Sequence, residues 1–212
     1  MQLNFLERLF ITSRLRTFLH DHLETRRLLE LGGPVPGARA LEVGCGPGSG
    51  IELVFRKFGV ASLDAFDLDS RMIFHARRRS RERSRLRFWV GNLRHIPVRD
   101  ACYDAVFNFG AIHHVVDWRA AVSEIHRVLK PGGRFYCEEI LSRYITHPVF
   151  GRLMDHPQVD RFDEAQFVAG LRRAGFTVHA TRQMADLYLW VVATRTAQTV
   201  STVQKQGGND GN

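Results

Sequence analysis

The chain has 212 residues, of which 44% are hydrophobic, and carries a formal net charge of +8. That length suits one α/β domain that buries a full core, so disulfides or a structural metal are not needed to hold it. The cysteines, at positions 45, 102 and 137, stand far apart with no CxxC pair, which argues against a zinc site and a disulfide framework. The charged N-terminal segment lacks the apolar core of a signal peptide, and no stretch approaches the roughly 20 apolar residues that span a bilayer. We therefore expect a cytoplasmic protein.

Helical and strand-like segments alternate along the chain. Apolar residues at helical spacing predict helices at 2–31, 51–58, 70–83, 117–129 and 163–174. Short apolar runs between turn residues predict strands at 38–43, 62–67, 86–90, 104–109, 134–139, 177–181 and 187–194. Asp117 and Asp163 are placed to cap their helices, and residues 130–133 (KPGG) are a strong stop. This alternation predicts a mostly parallel sheet with helices on both faces and ligands beyond the carboxyl ends of its strands.

A glycine-rich turn, GCGPGSG at 44–50, follows the first predicted strand. Glycines there let the backbone turn tightly and let a ligand approach the main chain. A dinucleotide fingerprint would have its third glycine where Ser49 stands, and Pro47 removes a backbone N–H from the turn. Glu42, just before the turn, would oppose a pyrophosphate but suits a ligand that bears an ammonium and a sulfonium. Asp67 ends the second strand, where a carboxylate holds ribose hydroxyls in nucleotide-binding folds.

Five segments occur in a characteristic order and at characteristic intervals: LEVGCGPGSG, FDLDSRM, GNLRHIP, YDAVFNFGAIHHV and HRVLKPGGRFYCEE. Together they resemble the small-molecule class I methyltransferases that depend on S-adenosylmethionine (SAM), the broad group that includes quinone-ring methylases. The resemblance covers about residues 38–195. It implies a Rossmann-like, doubly wound sheet of seven strands whose last strand is antiparallel, with SAM as cofactor and S-adenosylhomocysteine as product.

The resemblance also implies a role for each position that matches the family pattern. Residues that follow the first and fourth strands would line the methionine part of SAM: Glu42, Gly44, Cys45, Gly46, Phe109 and Gly110. Asp67 would hold the ribose hydroxyls and Leu68 would pack on the adenine. Asn92, where the family usually has Asp, would face the adenine amino group, and Leu93 would offer a backbone N–H.

The reaction that the resemblance implies is an in-line displacement, in which the protein aligns an acceptor with the activated methyl group. A base is needed only if the acceptor must lose a proton as it attacks. The candidate catalytic residues are His114 and Glu139, although Glu139 could instead bind a cationic acceptor or cap a helix. Candidates for binding the acceptor lie after the fourth strand and in the segment 140–162: His113, Tyr144, His147, Arg152 and His156.

We predict three regions: a helical cap over the active site at 1–37, a SAM-binding domain at 38–196 with an acceptor-binding insertion at 140–162, and a disordered tail at 197–212. His147, Asp155 and His156 could ligate a metal, but their spacing does not demand one, and we predict none. The acceptor is expected to be a small molecule, with lipids and quinones among the options. The basic, amphipathic N-terminal segment leaves open a peripheral contact with a membrane. The methylated atom and the oligomeric state stay open.

Eight arginines crowd the segment 71–87, which suggests a nucleic-acid methyltransferase as an alternative. We expect no aromatic side chain in this segment on which bases could stack. The stretch Asn108-Phe109-Gly110-Ala111 also lacks the Asn/Asp-Pro-Pro-aromatic motif of base-amine enzymes, so nucleic acid is not the expected partner. A SAM-binding module without catalysis is a further alternative. A dehydrogenase is not expected, because Ser49 replaces the third glycine of the dinucleotide fingerprint and Glu42 would oppose a pyrophosphate.

Overall fold

The computed structural model describes residues 25–80, 84–145 and 160–197, except for the side chains of 144 and 145. The helices within these ranges are α1 (Thr25–Gly32), α2 (Ser49–Leu53), α3 (Ser70–Arg79), α4 (Trp118–Val128), α5 (Ser142–Ile145) and α6 (Glu164–Arg173). The strands are β1 (Arg39–Val43), β2 (Ser62–Asp67), β3 (Leu86–Val90), β4 (Tyr103–Phe109), β5 (Leu129–Ile140), β6 (Phe176–Met184) and β7 (Tyr188–Arg195).

The strands form one seven-stranded sheet in the order β3-β2-β1-β4-β5-β7-β6. Strand β7 runs antiparallel to both of its neighbours, and the pairs from β3 across to β5 are parallel. The predicted Rossmann-like sheet with an antiparallel last strand is therefore confirmed. Strand order reverses between β1 and β4, so the loops at their carboxyl ends flank the crevice in which such sheets bind ligands.

Apolar side chains cover both faces of the sheet, as expected for parallel strands between two layers of helices. One face buries Leu28, Val54, Phe58, Phe107 and Tyr136, among others. The opposite face buries Val106, Trp118, Ile125, Phe135 and Leu171, among others. The central strands are thereby fixed from both sides, and the loops at their carboxyl ends are held on a rigid support.

Polar caps begin two of the helices at the predicted residues. The Asp117 carboxylate accepts from the backbone N–H of Ala120 at 3.1 Å, at the start of α4. Asp163 and Gln166 form a complete capping box at the start of α6. Both satisfy backbone donors that a first helical turn leaves without partners, and both predictions are confirmed.

Most predicted element bounds differ from those observed by one to three residues, and three elements differ in a way that affects the structure. The helix expected at 51–58 begins at Ser49, after Gly48 in a left-handed conformation, and continues as a π-helix over Val54–Phe58. The helix expected at 70–83 ends at Arg79, and residues 81–83 lie outside the described ranges. Strand β5 begins at Leu129, before the predicted stop. Its pairing with β4 then jumps from Leu129 to Arg134, so the KPGG segment bulges out between them.

Helix α1 lies on the face of the sheet formed by β5 and β7. Its Leu28 is fully buried, and Gly32 sits so close to Tyr136 and Val192 that a β-carbon would clash with both. The cap predicted at 1–37 stays a prediction, because residues 1–24 lie outside the described residues. No helix within the described ranges is long and apolar enough to span a membrane.

Candidate active site

The glycine turn after β1 adopts a backbone that only glycine takes easily. Gly44, Gly46 and Gly48 have φ angles of 64°, 52° and 83°, in the left-handed region. Gly44 lies against Ala111 in the loop after β4, where a β-carbon on Gly44 would overlap the Ala111 side chain. A β-carbon on Gly46, by contrast, would meet no atom within 4 Å. The turn is therefore closed toward β4 and leaves open space at Gly46 through which a ligand could approach the main chain.

Asp67 ties this turn to the end of β2. One carboxylate oxygen accepts from the Gly46 N–H and the other from the Asp69 N–H, each at 2.9 Å. Burial raises the pKa of Asp67, while these backbone hydrogen bonds lower it by favouring the ionised form. The Leu68 N–H adds a third such bond, and because a carboxylate has about four acceptor positions, Asp67 is able to accept a further bond from a hydroxyl group.

Glu42 is a buried acid with an unsatisfied oxygen. Its residue is 2% exposed, and the Oε2 atom has no hydrogen-bond partner among the described residues. The other oxygen lies in the space that a β-carbon of Gly50 would need, beside the Phe109 ring. Burial, helped by the charge of Asp67, raises the pKa of Glu42 to about 8. A cation placed at the glycine turn would satisfy this carboxylate, which fits the ammonium and sulfonium of SAM and does not fit a pyrophosphate.

The residues predicted to contact adenine lie at the same edge of the sheet. Leu68, directly after β2, is 55% exposed, and Val90, at the end of the neighbouring β3, is 53% exposed. The side-chain oxygen Oδ1 of Asn92 accepts from the Arg94 N–H at 3.0 Å and so forms a turn. The side chain of Leu93 is buried in the core. The exposed pair, Leu68 and Val90, is an apolar surface suited to a flat ring.

Glu139 holds the loop after β4 in place. It is fully buried and accepts from the Asn108 side chain at 2.6 Å, from the Ile112 N–H at 2.7 Å and from the His113 N–H at 3.2 Å. It also lies 2.6 Å from the Nδ1 atom of His113. Burial raises the pKa of Glu139 to about 7. Of the roles predicted for Glu139, capping the short 3-10 helix Ile112–His114 is the one that these contacts describe; its catalytic role stays a prediction that full burial does not favour.

The two histidines after β4 lie together. Their ring centroids are 4.1 Å apart, with His113 buried against Glu139 and His114 half-buried. The neighbouring acid, Glu138, points to the opposite face of the sheet, where it accepts from the Trp190 indole N–H at 3.2 Å. His114 is thus the more exposed of the predicted polar groups on this side, and its role as a base stays a prediction.

Part of the predicted acceptor site falls outside the described residues. His147, Arg152 and His156 are not described, and for Tyr144 only the backbone, within α5, is. The metal candidates His147, Asp155 and His156 share this position, and no group of three potential ligands occurs within the described ranges.

Sequence reasoning missed three residues of this region. Gly50 makes room for the Glu42 carboxylate, Asn108 joins Glu139 to the loop after β4, and Arg161 donates from Nη1 to the His113 carbonyl at 3.0 Å. The sequence marks Gly50 as a further glycine of the turn. It marks Asn108 as a polar amide inside an otherwise apolar strand. Arg161 lies in the predicted acceptor segment, but no pattern there singles it out.

The arginine-rich segment differs from expectation in one respect. The expected lack of a stacking surface is wrong, because Phe74 is 56% exposed on α3 and Arg78 lies over its ring at 5.6 Å. The helix buries Met72, Ile73 and Ala76 instead, so helical spacing turns Phe74 outward among the arginines.

Comparison with known proteins points to one family. Residues 41–137 match the family described as "Methyltransferase domain". A fatty-acid O-methyltransferase of Mycolicibacterium smegmatis is 37% identical over 110 residues, which are 52% of this chain and 40% of that protein. A protein of the same organism named as an S-adenosylmethionine-dependent methyltransferase is 38% identical over 145 residues, 68% of this chain and 54% of its own length. Over the matched domain, this chain is therefore similar to SAM-dependent methyltransferases.

The family's fold is found in solved structures as well. An S-adenosylmethionine-dependent methyltransferase from Mesorhizobium loti superimposes with a TM-score of 0.68 at 18% identity, covering 80% of this chain and 96% of that one. The chain spans about half the length of the curated relatives named above. The likeness to SAM-dependent methyltransferases therefore rests on residues 41–137, which run from β1 into β5.

Proposed function

We propose that this chain binds SAM at the carboxyl edge of its sheet and moves the methyl group to a small-molecule or lipid acceptor. The observation that carries the proposal is the buried Glu42 carboxylate, which has an unsatisfied oxygen beside an open glycine turn. When bound, SAM supplies a methyl group that is already activated on a sulfonium sulfur. The family and the name of the fatty-acid O-methyltransferase relative support an acceptor of this class.

Different residues of the chain bind different parts of the cofactor. Glu42 faces the cationic part of the cofactor, and the turn at Gly44–Gly46 lets the main chain approach it. Asp67 uses its remaining acceptor position for a ribose hydroxyl, and Leu68 presents an apolar surface to the adenine. Phe109, which lies against Gly50 beside Glu42, closes the methionine side.

Two groups near the carboxyl ends of the fourth and fifth strands have different roles on the acceptor side. Glu139 is a positioning residue, because its oxygens are committed to Asn108, Ile112 and His113. His114 is the group that would take a proton from an acceptor that must lose one. An acceptor that arrives as an anion needs no such step.

Transfer of label from SAM tests this function. The protein is incubated with SAM carrying a tritiated methyl group and, in separate reactions, with fatty acids, phenols, quinols or total RNA. We expect label in the organic extract of at least one small-molecule reaction, lost in Asp67→Ala and kept in Asp100→Ala, which changes an exposed acid far from the turn. Label in RNA alone would favour the nucleic-acid alternative. No label in any reaction from protein that binds S-adenosylhomocysteine would point to a SAM-binding module without catalysis.

A further inference from the structure

Among the described residues, Arg161 has a hydrogen-bond partner at one of its three guanidinium nitrogens. Its Nη1 donates to the carbonyl of His113 at 3.0 Å. The Nε and Nη2 atoms are buried and have no hydrogen-bond partner among the residues that the structure describes. Burial lowers the pKa of Arg161. A cation with two buried, unmet donors is costly, so this edge of Arg161 is suited to an anionic partner.

The two unmet nitrogens form the edge of the guanidinium that matches a carboxylate. Nε and Nη2 lie side by side in one plane and can donate in parallel to two carboxylate oxygens. Two other arginines of this chain bind a carboxylate through their Nε and Nη2 atoms. Arg71 donates from Nε and Nη2 to Asp69, and Arg127 donates from Nε and Nη2 to Glu124. The corresponding edge of Arg161 differs in being buried and in lacking such an acid.

Arg161 is also connected to the candidate active site through the loop after β4. Its anchor, His113, follows Gly110 at the carboxyl end of β4, and the His113 ring is 3.5 Å from the place of a Gly110 β-carbon. In the same loop, Ala111 touches Gly44 of the glycine turn. Contacts therefore run from the turn through the loop after β4 to Arg161.

We propose that Arg161 binds a carboxylate group of the methyl acceptor through its Nε and Nη2 atoms. This inference rests on the proposed function and names the acceptor's chemical class. A carboxylate carries one negative charge, which a single guanidinium balances. A phosphate ester would bring a second charge into a region that already contains the Glu139 carboxylate behind His113.

Paired probes that differ only in charge test the inference. Protein saturated with S-adenosylhomocysteine is titrated with octanoate and octanamide, with benzoate and benzamide, and with octyl phosphate. We expect at least one acid to bind roughly tenfold or more tightly than its amide. We expect that preference to vanish in Arg161→Gln, to shrink in Arg161→Lys, and to persist in Arg119→Gln. Arg119 is the matched control because it is exposed and pairs with Asp160, next to Arg161 in sequence.

The outcomes separate this inference from the proposed function. Equal binding of acids and amides, absence of binding by every probe, a preference for octyl phosphate, or an acid preference that survives in Arg161→Gln would each overturn the carboxylate site. Each would leave the function standing if S-adenosylhomocysteine still binds. Failure of the wild type to bind S-adenosylhomocysteine would count against the function itself. If Arg161→Gln does not fold, the acid preference is compared between the wild type and Arg161→Lys. Lysine keeps the positive charge and lacks the parallel Nε and Nη2 donors.

Discussion

Glu42 is the residue whose environment most constrains what the glycine turn binds. A carboxylate with a pKa near 8 is mostly protonated at neutral pH until a cation arrives. The neighbouring Asp67 adds negative charge to the same space and raises that pKa further. No described residue gives Glu42 or Asp67 a basic partner, so the two acids favour a cationic ligand at the turn, and Pro47 removes a donor that an anion would need.

Replacing Glu42 with Gln tests whether the Glu42 carboxylate binds the cationic part of the ligand. Binding of S-adenosylhomocysteine, which keeps the ammonium, requires the ionised carboxylate, so it releases a proton from Glu42 below pH 8. We expect the affinity of the wild type to fall roughly tenfold between pH 8 and pH 6.5 as the unbound carboxyl becomes protonated. Glu42→Gln should bind more weakly at pH 8 and lose most of this dependence, as measured by calorimetry at both pH values.

The control for that experiment is Glu52→Gln, which changes an exposed glutamate on the adjacent α2. It should keep the wild-type pH dependence. An affinity in Glu42→Gln that follows the wild-type curve would mean that Glu42 does not face the cofactor's cationic part.

At the scale of elements, the site depends on the close contact between two loops. The turn after β1 and the loop after β4 meet at Gly44 and Ala111, across the point where strand order reverses. Glu139 on β5 fixes the second loop through Asn108 and the short 3-10 helix. Three neighbouring strands thus hold one crevice, and the rigidity of the sheet sets the spacing of its walls.

The pair Gly44→Ala and Gly37→Ala tests this contact. Both glycines have positive φ, 64° and 77°, so both alanines bear a similar backbone cost of about 1 kcal/mol. A β-carbon at Gly37 meets nothing within 4 Å, whereas one at Gly44 overlaps Ala111. We expect Gly37→Ala to bind S-adenosylhomocysteine normally, and Gly44→Ala to bind at least about tenfold more weakly and to melt at a lower temperature. Equal effects of the two substitutions would mean that the contact between Gly44 and Ala111 contributes neither to ligand binding nor to stability.

At the scale of the whole molecule, buried acids make stability depend on pH. Glu42 and Glu139 have folded pKa values of about 8 and about 7, against 4.5 as the ordinary value. Between pH 4.5 and 8 the folded state therefore binds more protons than the unfolded state, and stability falls as pH rises through that window. Below it, the acids whose pKa is lowered by arginine or lysine partners, such as Glu124, lose their contribution as they become protonated.

Melting curves at several pH values test this account. The wild type should melt highest near pH 5 and lower at pH 8.5. From pH 5 to pH 8.5, the free energy of unfolding of Glu42→Gln should rise by at least about 1.4 kcal/mol relative to that of the wild type. This corresponds to a relative rise of roughly 3–5 °C in melting temperature. Glu52→Gln should follow the wild type. A constant difference between Glu42→Gln and the wild type at both pH values would contradict the raised pKa of Glu42.

Much of the fold follows from local patterns, and less of the site does. Strands Ser62–Asp67 and Leu86–Val90 match their predicted bounds, because apolar runs end at polar or glycine residues there. The family motifs place Glu42 and Asp67 at the carboxyl edge. Alternation along β5 shows that Glu138 and Glu139 face opposite ways, but not which of them meets a cluster of backbone donors. The unmatched edge of Arg161 depends on distant residues brought together by folding, which no sequence spacing records.

The central claim, that this chain holds SAM at the turn after β1, is tested most directly by titrating the protein with S-adenosylhomocysteine in a calorimeter. NADH serves as the control ligand, and Asp67→Ala is compared with Asp100→Ala. We predict micromolar binding of S-adenosylhomocysteine that is lost in Asp67→Ala and retained in Asp100→Ala, with no heat from NADH. A folded wild-type sample that binds NADH, or that gives no heat with S-adenosylhomocysteine, would contradict the account.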